Sequence, residues 1–295
     1  MAIDLNFNIK CSRISLDAFS QNNCKLSLLR LDEIHPIVSG NKWFKLKYYI
    51  EAYQNGKYSG ILTFGGAYSN HLAATAAACN YYQIPVEAIV RGRDGMAYPS
   101  QTLKDCGALG MQFQFVNRAQ YKLYKEEEYI NTLREQFPNF LIIPEGGYGS
   151  LGVKGAALIH QYLPDDTDVV AAAVGSSTTI CGLLEASKKE QEVIGFTALK
   201  QGEYLLKELK LYNKFNNGRL ITEYHFGGFG KYKPELINFM KQFKQEQNIE
   251  LDFVYTAKMM FGLFDLIGKG NFKNKNIVAI HSGGLQGNQS IQYLL

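Results

Sequence analysis

The chain has 295 residues, 46% of them hydrophobic, so it can bury a large core and has room for two domains of about 150 residues each. This composition excludes a disordered or fibrous protein. The 31 basic and 27 acidic residues are spread along the chain with a net charge of +4, and no basic cluster indicates a nucleic acid or a membrane surface as a partner.

The cysteines indicate a reducing compartment. There are five, an odd number, and none has Cys-x-x-Cys spacing, which favours thiols in a cytoplasmic enzyme over a disulfide framework. Cys79, Cys106 and Cys181 lie in apolar surroundings and are predicted to be core residues. We expect neither an export signal nor a membrane span, because the first residues lack a basic segment before an apolar stretch and no run of about 18 apolar residues occurs.

Short apolar runs alternate with helical patterns along the chain. The runs predict strands at 60–66, 86–90, 111–116, 140–147, 168–175, 192–196 and 276–281, and the patterns between them predict helices at 69–82, 98–109, 126–137, 149–162 and 234–247. Continuous hydrophobicity is typical of strands covered on both faces. The sequence therefore predicts an α/β protein with mostly parallel sheets, in which ligands bind beyond the carboxyl ends of the strands.

The first candidate site is a lysine at the start of a predicted helix. Lys42 follows the small, polar turn formed by Ser39, Gly40 and Asn41, and a second base, Lys45, follows three residues later. A helix N-terminus and a neighbouring cation both lower the pKa of a lysine amine and make it a better nucleophile. An ordinary surface lysine remains the alternative.

The second candidate lies where a predicted strand ends in Gly65 and Gly66 and a helix begins near Ser69 and Asn70. The hydroxyl and the N–H groups at such a helix start can hold a carboxylate. The alternative is a plain helix cap. His71 has no companions at the spacing of a metal site, so no metal is expected.

The third candidate is a hydroxyl-rich turn between a strand and a helix, Val174 to Gly182. Its hydroxyl groups can donate to a phosphate together with the backbone N–H groups; they belong to Ser176, Ser177, Thr178 and Thr179. The turn matches neither the P-loop nor the dinucleotide fingerprint. A small monophosphate is the predicted ligand, and a purely structural turn is the alternative.

Two further hydroxyl-bearing residues stand near the end of the chain. Tyr255 lies in Val-Tyr-Thr-Ala-Lys258, and Ser282 precedes Gly283 and Gly284. Alone, these residues can equally be a core aromatic and a strand-end hydroxyl.

Taken together in this order, the motifs resemble those of the fold-type-II pyridoxal-phosphate enzymes, in the group of 1-aminocyclopropane-1-carboxylate deaminase and D-cysteine desulfhydrase. The resemblance runs from about Leu29 to Gly287. It implies that Lys42 carries pyridoxal 5'-phosphate as a Schiff base. It also implies that Asn70 holds the ring hydroxyl of the cofactor and that Ser69 touches the substrate.

The resemblance also identifies the phosphate-binding turn as the segment from Ser176 to Gly182, although a serine and a threonine here replace glycines common in the family. It implies two open, twisted, mostly parallel sheets flanked by helices, as in the tryptophan synthase beta subunit. The expected large, cofactor-binding domain comprises residues 1–48 and 148–295, and the small inserted domain comprises 49–147. Such enzymes are usually dimers, so a homodimer is expected.

The expected reaction is β-elimination from a small amino acid. Lys42 would take the α-proton. Ser69, the nearby N–H groups and His71 would hold the substrate carboxylate. Tyr255 would protonate or polarise the leaving group. A 2-oxo acid and ammonia would result.

Within the family, ring-opening members resemble this chain but carry glutamate at position 256 and leucine at position 282. This chain has Thr256 and Ser282, neutral hydroxyls as in the desulfhydrase branch, and Phe229 replaces a family tyrosine. These residues favour D-cysteine desulfhydrase-like activity, with 1-aminocyclopropane-1-carboxylate deaminase as the alternative. A catalytically silent relative that binds the cofactor or a metabolite is the non-enzyme alternative, and the missing glycine fingerprint disfavours a nicotinamide oxidoreductase.

Overall fold

The structure is a computed structural model that describes residues 8–15, 23–35, 38, 40–92 and 94–295. Ser39 of the predicted lysine turn lies outside these ranges. The chain divides into two compact units, one containing Lys42–Gly152 and the other Val153–Leu295 with described residues 8–15, 23–35, 40 and 41. Among the described residues, no helix combines the length and the apolarity that a bilayer crossing requires.

The unit that contains the C-terminus is built on a sheet in which six described strands pair. The strands are β1 (Cys11–Ile14), β2 (Lys25–Arg30), β7 (Val169–Val174), β8 (Glu192–Thr197), β9 (Gly218–Ile221) and β10 (Asn276–His281). Their order is β1-β2-β10-β7-β8-β9, and of these pairs β1 with β2 alone is antiparallel.

The other unit contains a sheet of four described strands, all parallel. They are β3 (Gly60–Gly66), β4 (Val86–Arg91), β5 (Gln112–Val116) and β6 (Phe140–Ile143), in the order β5-β4-β3-β6. β3 lies between β4 and β6, and every residue from Gly60 to Gly65 is buried, as expected for a strand covered on both faces.

Helices alternate with these strands. The first six are α1 (Asn41–Asn55), α2 (Asn70–Tyr82), α3 (Asp94–Ala97), α4 (Gln101–Ala108), α5 (Arg118–Tyr121) and α6 (Glu127–Gln136). The next five are α7 (Ser150–Ala157), α8 (Thr178–Ala186), α9 (Leu205–Tyr212), α10 (Pro234–Gln247) and α11 (Thr256–Gly268). α11 packs on β7 and β8, where Met259, Met260 and Leu263 join the core of the C-terminal unit.

The predicted fold class is confirmed: the protein is α/β with two mostly parallel sheets flanked by helices. All seven predicted strands are present, with ends that differ by a few residues. The sequence did not predict β1, β2 and β9. β1 and β9 are short edge strands of four residues, and the alternating pattern of Lys25–Arg30 carries charged ends, so none of the three gives a continuous apolar run.

The three cysteines predicted to be core residues are buried. None of the five forms a disulfide, and all five lie in the described ranges. Cys79, Cys106 and Cys181 are buried, and burial raises the pKa of the Cys79 thiol to about 12.

Candidate active site

The turn before Lys42 packs against the backbone of Ser282, directly after β10. Gly40 has φ +75°, and a Cβ added there would lie 1.8 Å from the carbonyl oxygen of Ser282. Its N–H donates to Leu31 O (2.7 Å), and the N–H of Asn41 donates to the same Ser282 oxygen (3.3 Å). Glycine is therefore required at position 40 by both its backbone conformation and its close approach to another strand. This contact fixes where α1 begins, and Lys42 is the second residue of that helix.

Asn41 also connects the lysine turn to the hydroxyl-rich turn. Its side-chain Nδ2 donates a hydrogen bond of 2.8 Å to Oγ1 of Thr179, and both residues are buried. Because Thr179 accepts in this bond, its own O–H proton is still available for another acceptor. Two segments that the sequence analysis identified separately, 40–42 and 176–182, are thus joined by a direct bond.

The hydroxyl-rich turn leads into α8, whose N-terminus offers backbone N–H groups and the positive end of the helix dipole. Thr178 and Thr179 are buried in its first turn, and Oγ of Ser176 lies 3.3 Å from Oγ1 of Thr178. The hydroxyl of Ser177 donates to the carboxylate of Glu208. The hydroxyl of Ser177 is therefore already donated to a carboxylate and is not available to an anion at this turn.

Gly182 serves the packing of two helices. A Cβ added to it would lie 2.6 Å from the Cβ of Ala156 and 2.7 Å from the carbonyl oxygen of Val153. α8 and α7 therefore approach each other closely at this point, which explains the glycine without a contact to a ligand.

A buried carboxylate organises the segment of Tyr255 and Thr256. Oδ1 of Asp252 accepts the N–H groups of Val254 (3.1 Å) and Tyr255 (2.8 Å), and Oδ2 accepts that of Thr256 (2.8 Å). Asp252 is completely buried, and it supplies acceptors to N–H groups that the start of α11 would otherwise leave unsatisfied. The sequence analysis missed this residue, although an aspartate shortly before a helix start is a recognisable capping signal.

Tyr255 lies against Gly175, near the start of the hydroxyl-rich turn. A Cβ on Gly175 would lie 2.6 Å from its ring and 2.7 Å from its phenol oxygen. The ring also meets Phe229 edge to face, with centroids 5.9 Å apart. The structure therefore brings Tyr255, Phe229 and Gly175, the residue before the segment 176–182, together within one unit.

Thr256 and Ser282 supply the neutral hydroxyls predicted from the sequence. Oγ1 of Thr256 is enclosed and has no hydrogen-bond partner among the described residues. A buried hydroxyl without a partner is costly, and such a group is typical of a site that a ligand completes. Ser282 directly follows β10 and is half-buried, and its carbonyl group lies against Gly40.

In the unit that contains Lys42–Gly152, the first turn of α1 carries Lys42, which is half-buried, and Lys45, which is buried. Lys47, on the same helix, forms an ion pair with Glu51. The three lysines therefore have different surroundings, and Lys42 is the one next to the anchored Asn41.

Ser69 and Asn70 stand at the start of α2, as predicted. Oγ of Ser69 accepts the N–H of Leu72 (3.3 Å) and caps the helix, so the alternative of a helix cap is present in the structure. A Cβ on Gly65 would lie 2.8 Å from Oγ of Ser69, which explains the first glycine of the pair. A serine that caps a helix can still donate its own proton to a carboxylate.

His71 is held in a defined tautomer. Its Nε2 lies 2.8 Å from Oγ1 of Thr63, and the hydroxyl of Thr63 donates its proton to Ile143 O (2.9 Å). Thr63 must therefore accept from the Nε2–H of His71, which leaves Nδ1 as an acceptor. Nδ1 is buried and has no partner among the described residues. Burial, with Lys42 and Lys45 adding positive charge, lowers the pKa of His71 to about 3.

A lysine at a helix start, a hydroxyl-rich turn without arginine, and an unsatisfied hydroxyl are the kinds of groups that suit a small phosphorylated cofactor with a reactive carbonyl. The pyridoxal-phosphate dependent enzyme family model matches residues 9–283, and the chain belongs to this family. The protein is therefore a pyridoxal-phosphate enzyme. The described residues include the kinds of groups that such a cofactor requires: a lysine amine near a helix start, a hydroxyl-rich helix N-terminus, and an enclosed hydroxyl without a protein partner among the described residues.

The chain is similar to relatives of two named activities. It is 28% identical over 270 residues to a putative 1-aminocyclopropane-1-carboxylate deaminase of Pyrococcus furiosus, covering 85% of this chain and 82% of the relative. It is also 28% identical over 297 residues to a mitochondrial bifunctional D-cysteine desulfhydrase/1-aminocyclopropane-1-carboxylate deaminase of Arabidopsis thaliana, covering 90% and 74%. A crystal structure described as an ACC deaminase homologue aligns with TM-score 0.82 at 23% identity, covering 100% and 96%, and shows the shared fold.

Proposed function

We propose that this enzyme catalyses β-elimination from a small amino acid of the D-cysteine type. With uptake of one water molecule, the products are a thiol or sulfide, ammonia and a 2-oxo acid. The observation that carries the proposal is the bond from Asn41 to Thr179, because it ties the residue before the candidate cofactor lysine to the candidate phosphate turn.

The residues of the chain divide the work. When bound, pyridoxal phosphate supplies the electron sink that stabilises negative charge at the α-carbon. The amine of Lys42 takes the α-proton, and the phenol of Tyr255 donates a proton to the departing sulfur. Ser69 and the N–H groups at the start of α2 hold the substrate carboxylate, and Asn70 holds the ring hydroxyl of the cofactor.

The tautomer of His71 bears on the carboxylate contact that was predicted for it. Its N–H is donated to Thr63, so in this tautomer it has no proton left for a carboxylate. The predicted carboxylate contact of His71 is therefore not part of this proposal.

The preference for elimination over ring opening depends on the ring nitrogen of the cofactor. The cyclopropane amino acid has no α-proton, so its reaction relies on a strong electron sink, which a carboxylate at that nitrogen would maintain. Thr256 and Ser282 are neutral hydroxyls, and Oγ1 of Thr256 lacks a partner among the described residues. They support the desulfhydrase branch. Relatives named as deaminases keep 1-aminocyclopropane-1-carboxylate as the second candidate substrate.

The covalent link to Lys42 is tested by reduction with borohydride and peptide mapping of the holoenzyme. We expect the cofactor adduct on Lys42, its loss in Lys42→Ala, and its retention in the matched control Lys47→Ala. An adduct on Lys45 in the wild-type protein contradicts the assignment. A protein that cannot be loaded with the cofactor contradicts the proposal as a whole.

The substrate is tested with a panel of D- and L-amino acids that carry β leaving groups, together with the cyclopropane amino acid, by measuring 2-oxo acid and ammonia. We expect the highest kcat/KM for a D-amino acid with a thiol or related sulfur group. Ring opening at a comparable rate supports the deaminase instead. Cofactor loading without turnover of any member supports the catalytically silent relative.

The oligomeric state and the cellular location belong to the same proposal. We propose a homodimer, which light scattering of the purified holoenzyme tests, and a cytoplasmic location, which the absence of disulfides among the five cysteines supports. A monomer in light scattering, or a native protein found with intramolecular disulfides, contradicts the respective statement.

A further inference from the structure

Lys258 is a buried lysine that the reaction described above does not use. It lies three residues after Tyr255 in the first turn of α11, and it is 2% exposed. Its Nζ donates two hydrogen bonds to backbone carbonyls, to His225 O at 3.0 Å and to Gly228 O at 2.7 Å. Burying an ammonium group is costly, so a lysine here indicates a task that an apolar side chain would not perform.

Both carbonyls belong to the glycine-rich segment 225–231, which we call the aromatic-glycine turn. Phe226, Gly227, Gly228 and Gly230 all have positive φ, and Phe226 is not a glycine, so its backbone is in a disfavoured conformation. The internal bonds of the turn are Gly228 N–H to His225 O (3.0 Å), Lys231 N–H to Gly228 O (3.1 Å) and Gly227 N–H to Nδ1 of His225 (2.9 Å). Lys258 thus binds the same two carbonyls that close the turn, and holds a conformation that the backbone alone disfavours.

The aromatic-glycine turn places the ring of Phe229 against the ring of Tyr255. Phe229 is 54% exposed, yet its ring meets that of Tyr255 edge to face at 5.9 Å. An exposed phenylalanine gains little from burial, so its position depends on the turn that carries it. Tyr255 also lies against Gly175, where a Cβ would come within 2.6 Å of the tyrosine ring.

We propose that Lys258 is a positioning residue for Tyr255: its ammonium group fixes the aromatic-glycine turn, and the turn holds Phe229 against the tyrosine ring. Only the catalytic consequence rests on the proposed function, because it requires Tyr255 to act on the leaving group. The effect of Lys258 on the turn itself stands on the two hydrogen bonds alone.

Lys258 donates to backbone carbonyls although the carboxylate of Asp252 is near enough to affect its pKa. Asp252 is the charged group that acts on Lys258 by raising its pKa, but its two carboxylate oxygens already accept three N–H groups. Burial outweighs Asp252 and lowers the pKa of Lys258 to about 8. The lysine is therefore charged near neutral pH, and charge-assisted bonds to its two carbonyls are stronger than those of a neutral donor.

The test is Lys258→Met in the holoenzyme, read by hydrogen exchange of the segment 225–231 and by steady-state kinetics. We expect about tenfold faster exchange of Gly228 and Lys231 and a kcat lowered about tenfold, because both hydrogen bonds from Lys258 to the turn are lost, with cofactor affinity within about twofold of the wild type. Lys269→Met, at the other end of α11 where the lysine pairs with Asp265, is the matched control and should change none of these readouts.

Phe229→Ala keeps Lys258 and removes the contact with Tyr255, so it keeps the proposal testable if Lys258→Met fails to fold. It should lower kcat without changing exchange in the turn, and combining it with Lys258→Met should add little further loss of kcat. Unchanged exchange in a folded Lys258→Met protein overturns the proposal, as do fully additive losses. A wild-type protein without turnover contradicts the proposed function, while the exchange experiment still decides whether Lys258 holds the turn.

Discussion

The side-chain amide of Asn41 donates a hydrogen bond of 2.8 Å to the hydroxyl of Thr179, 138 positions later in the chain. The bond joins the residue before Lys42 to the turn that we assign to the cofactor phosphate. It connects Asn41 directly to a hydroxyl-rich turn that is far away in the sequence.

Thr179→Val is expected to weaken cofactor binding by about 1–3 kcal/mol, because it removes a donor to a charged acceptor and the hydrogen bond from Asn41. Asn41→Ala should have a smaller effect of the same sign. The measurement is a titration of the apoenzyme with pyridoxal phosphate. In the double variant the losses should not add, since the two residues share one bond. Asn55→Ala, at the far end of α1, is the control, and additive losses would show that the bond does not support the cofactor.

Ser177→Ala is expected to change cofactor affinity less than Thr179→Val, because the Ser177 hydroxyl is donated to Glu208. Its cost should appear in the free energy of unfolding, at about 0.5–1.5 kcal/mol, as is typical of a lost hydrogen bond. Glu208→Gln should give a similar loss of stability with little change in cofactor affinity. A larger loss of cofactor affinity in Ser177→Ala than in Thr179→Val would mean that Ser177 turns toward the phosphate in the holoenzyme.

Asp252→Asn is expected to destabilise the protein by about 1–3 kcal/mol and to lower kcat, because an amide offers one oxygen where three N–H groups are accepted by a carboxylate. The free energy of unfolding and kcat are the two measurements. The exposed Glu246→Gln on α10 controls for the loss of a negative charge. If kcat is unchanged although stability falls, Asp252 caps α11 without orienting Tyr255.

His71 should make the protein sensitive to acid. Its pKa is lowered in the fold to about 3, so below the ordinary value of 6.5 the unfolded chain binds a proton that the folded chain does not, and stability falls as pH falls. Between pH 7 and pH 5 this one group should cost about 2 kcal/mol. His71→Gln, which can still donate to Thr63, should lose less stability over that range in urea unfolding experiments.

The same substitution at His160, whose ring lies 2.7 Å from Oε1 of Gln191, serves as the comparison. An equal pH dependence in wild-type and His71→Gln proteins would show that His71 titrates normally and that the tautomer set by Thr63 is not maintained.

The sequence by itself determined the fold class, the family and the position of each motif. Continuous apolar strands such as Val169–Val174 predict parallel sheets because both faces must be covered. The glycine of Gly40-Asn41-Lys42 is a recognisable signal because a Cβ at position 40 would lie 1.8 Å from the carbonyl oxygen of Ser282. Such patterns can be recognised in a sequence because hydrophobic periodicity and turn residues involve only neighbouring positions in the chain.

Only the tertiary structure decided how the individual side chains are used. Nothing in the sequence distinguishes the Thr179 hydroxyl, bonded to Asn41, from that of Ser177, donated to Glu208, since both partners are far away along the chain. The tautomer of His71 depends on Thr63 and on the carbonyl of Ile143 in the neighbouring strand. The role proposed for Lys258 depends on the folded chain placing the carbonyls of His225 and Gly228 within hydrogen-bond distance of its Nζ. Hydrogen bonds are short-ranged and directional, so their partners are fixed by the packed fold and not by spacing along the chain.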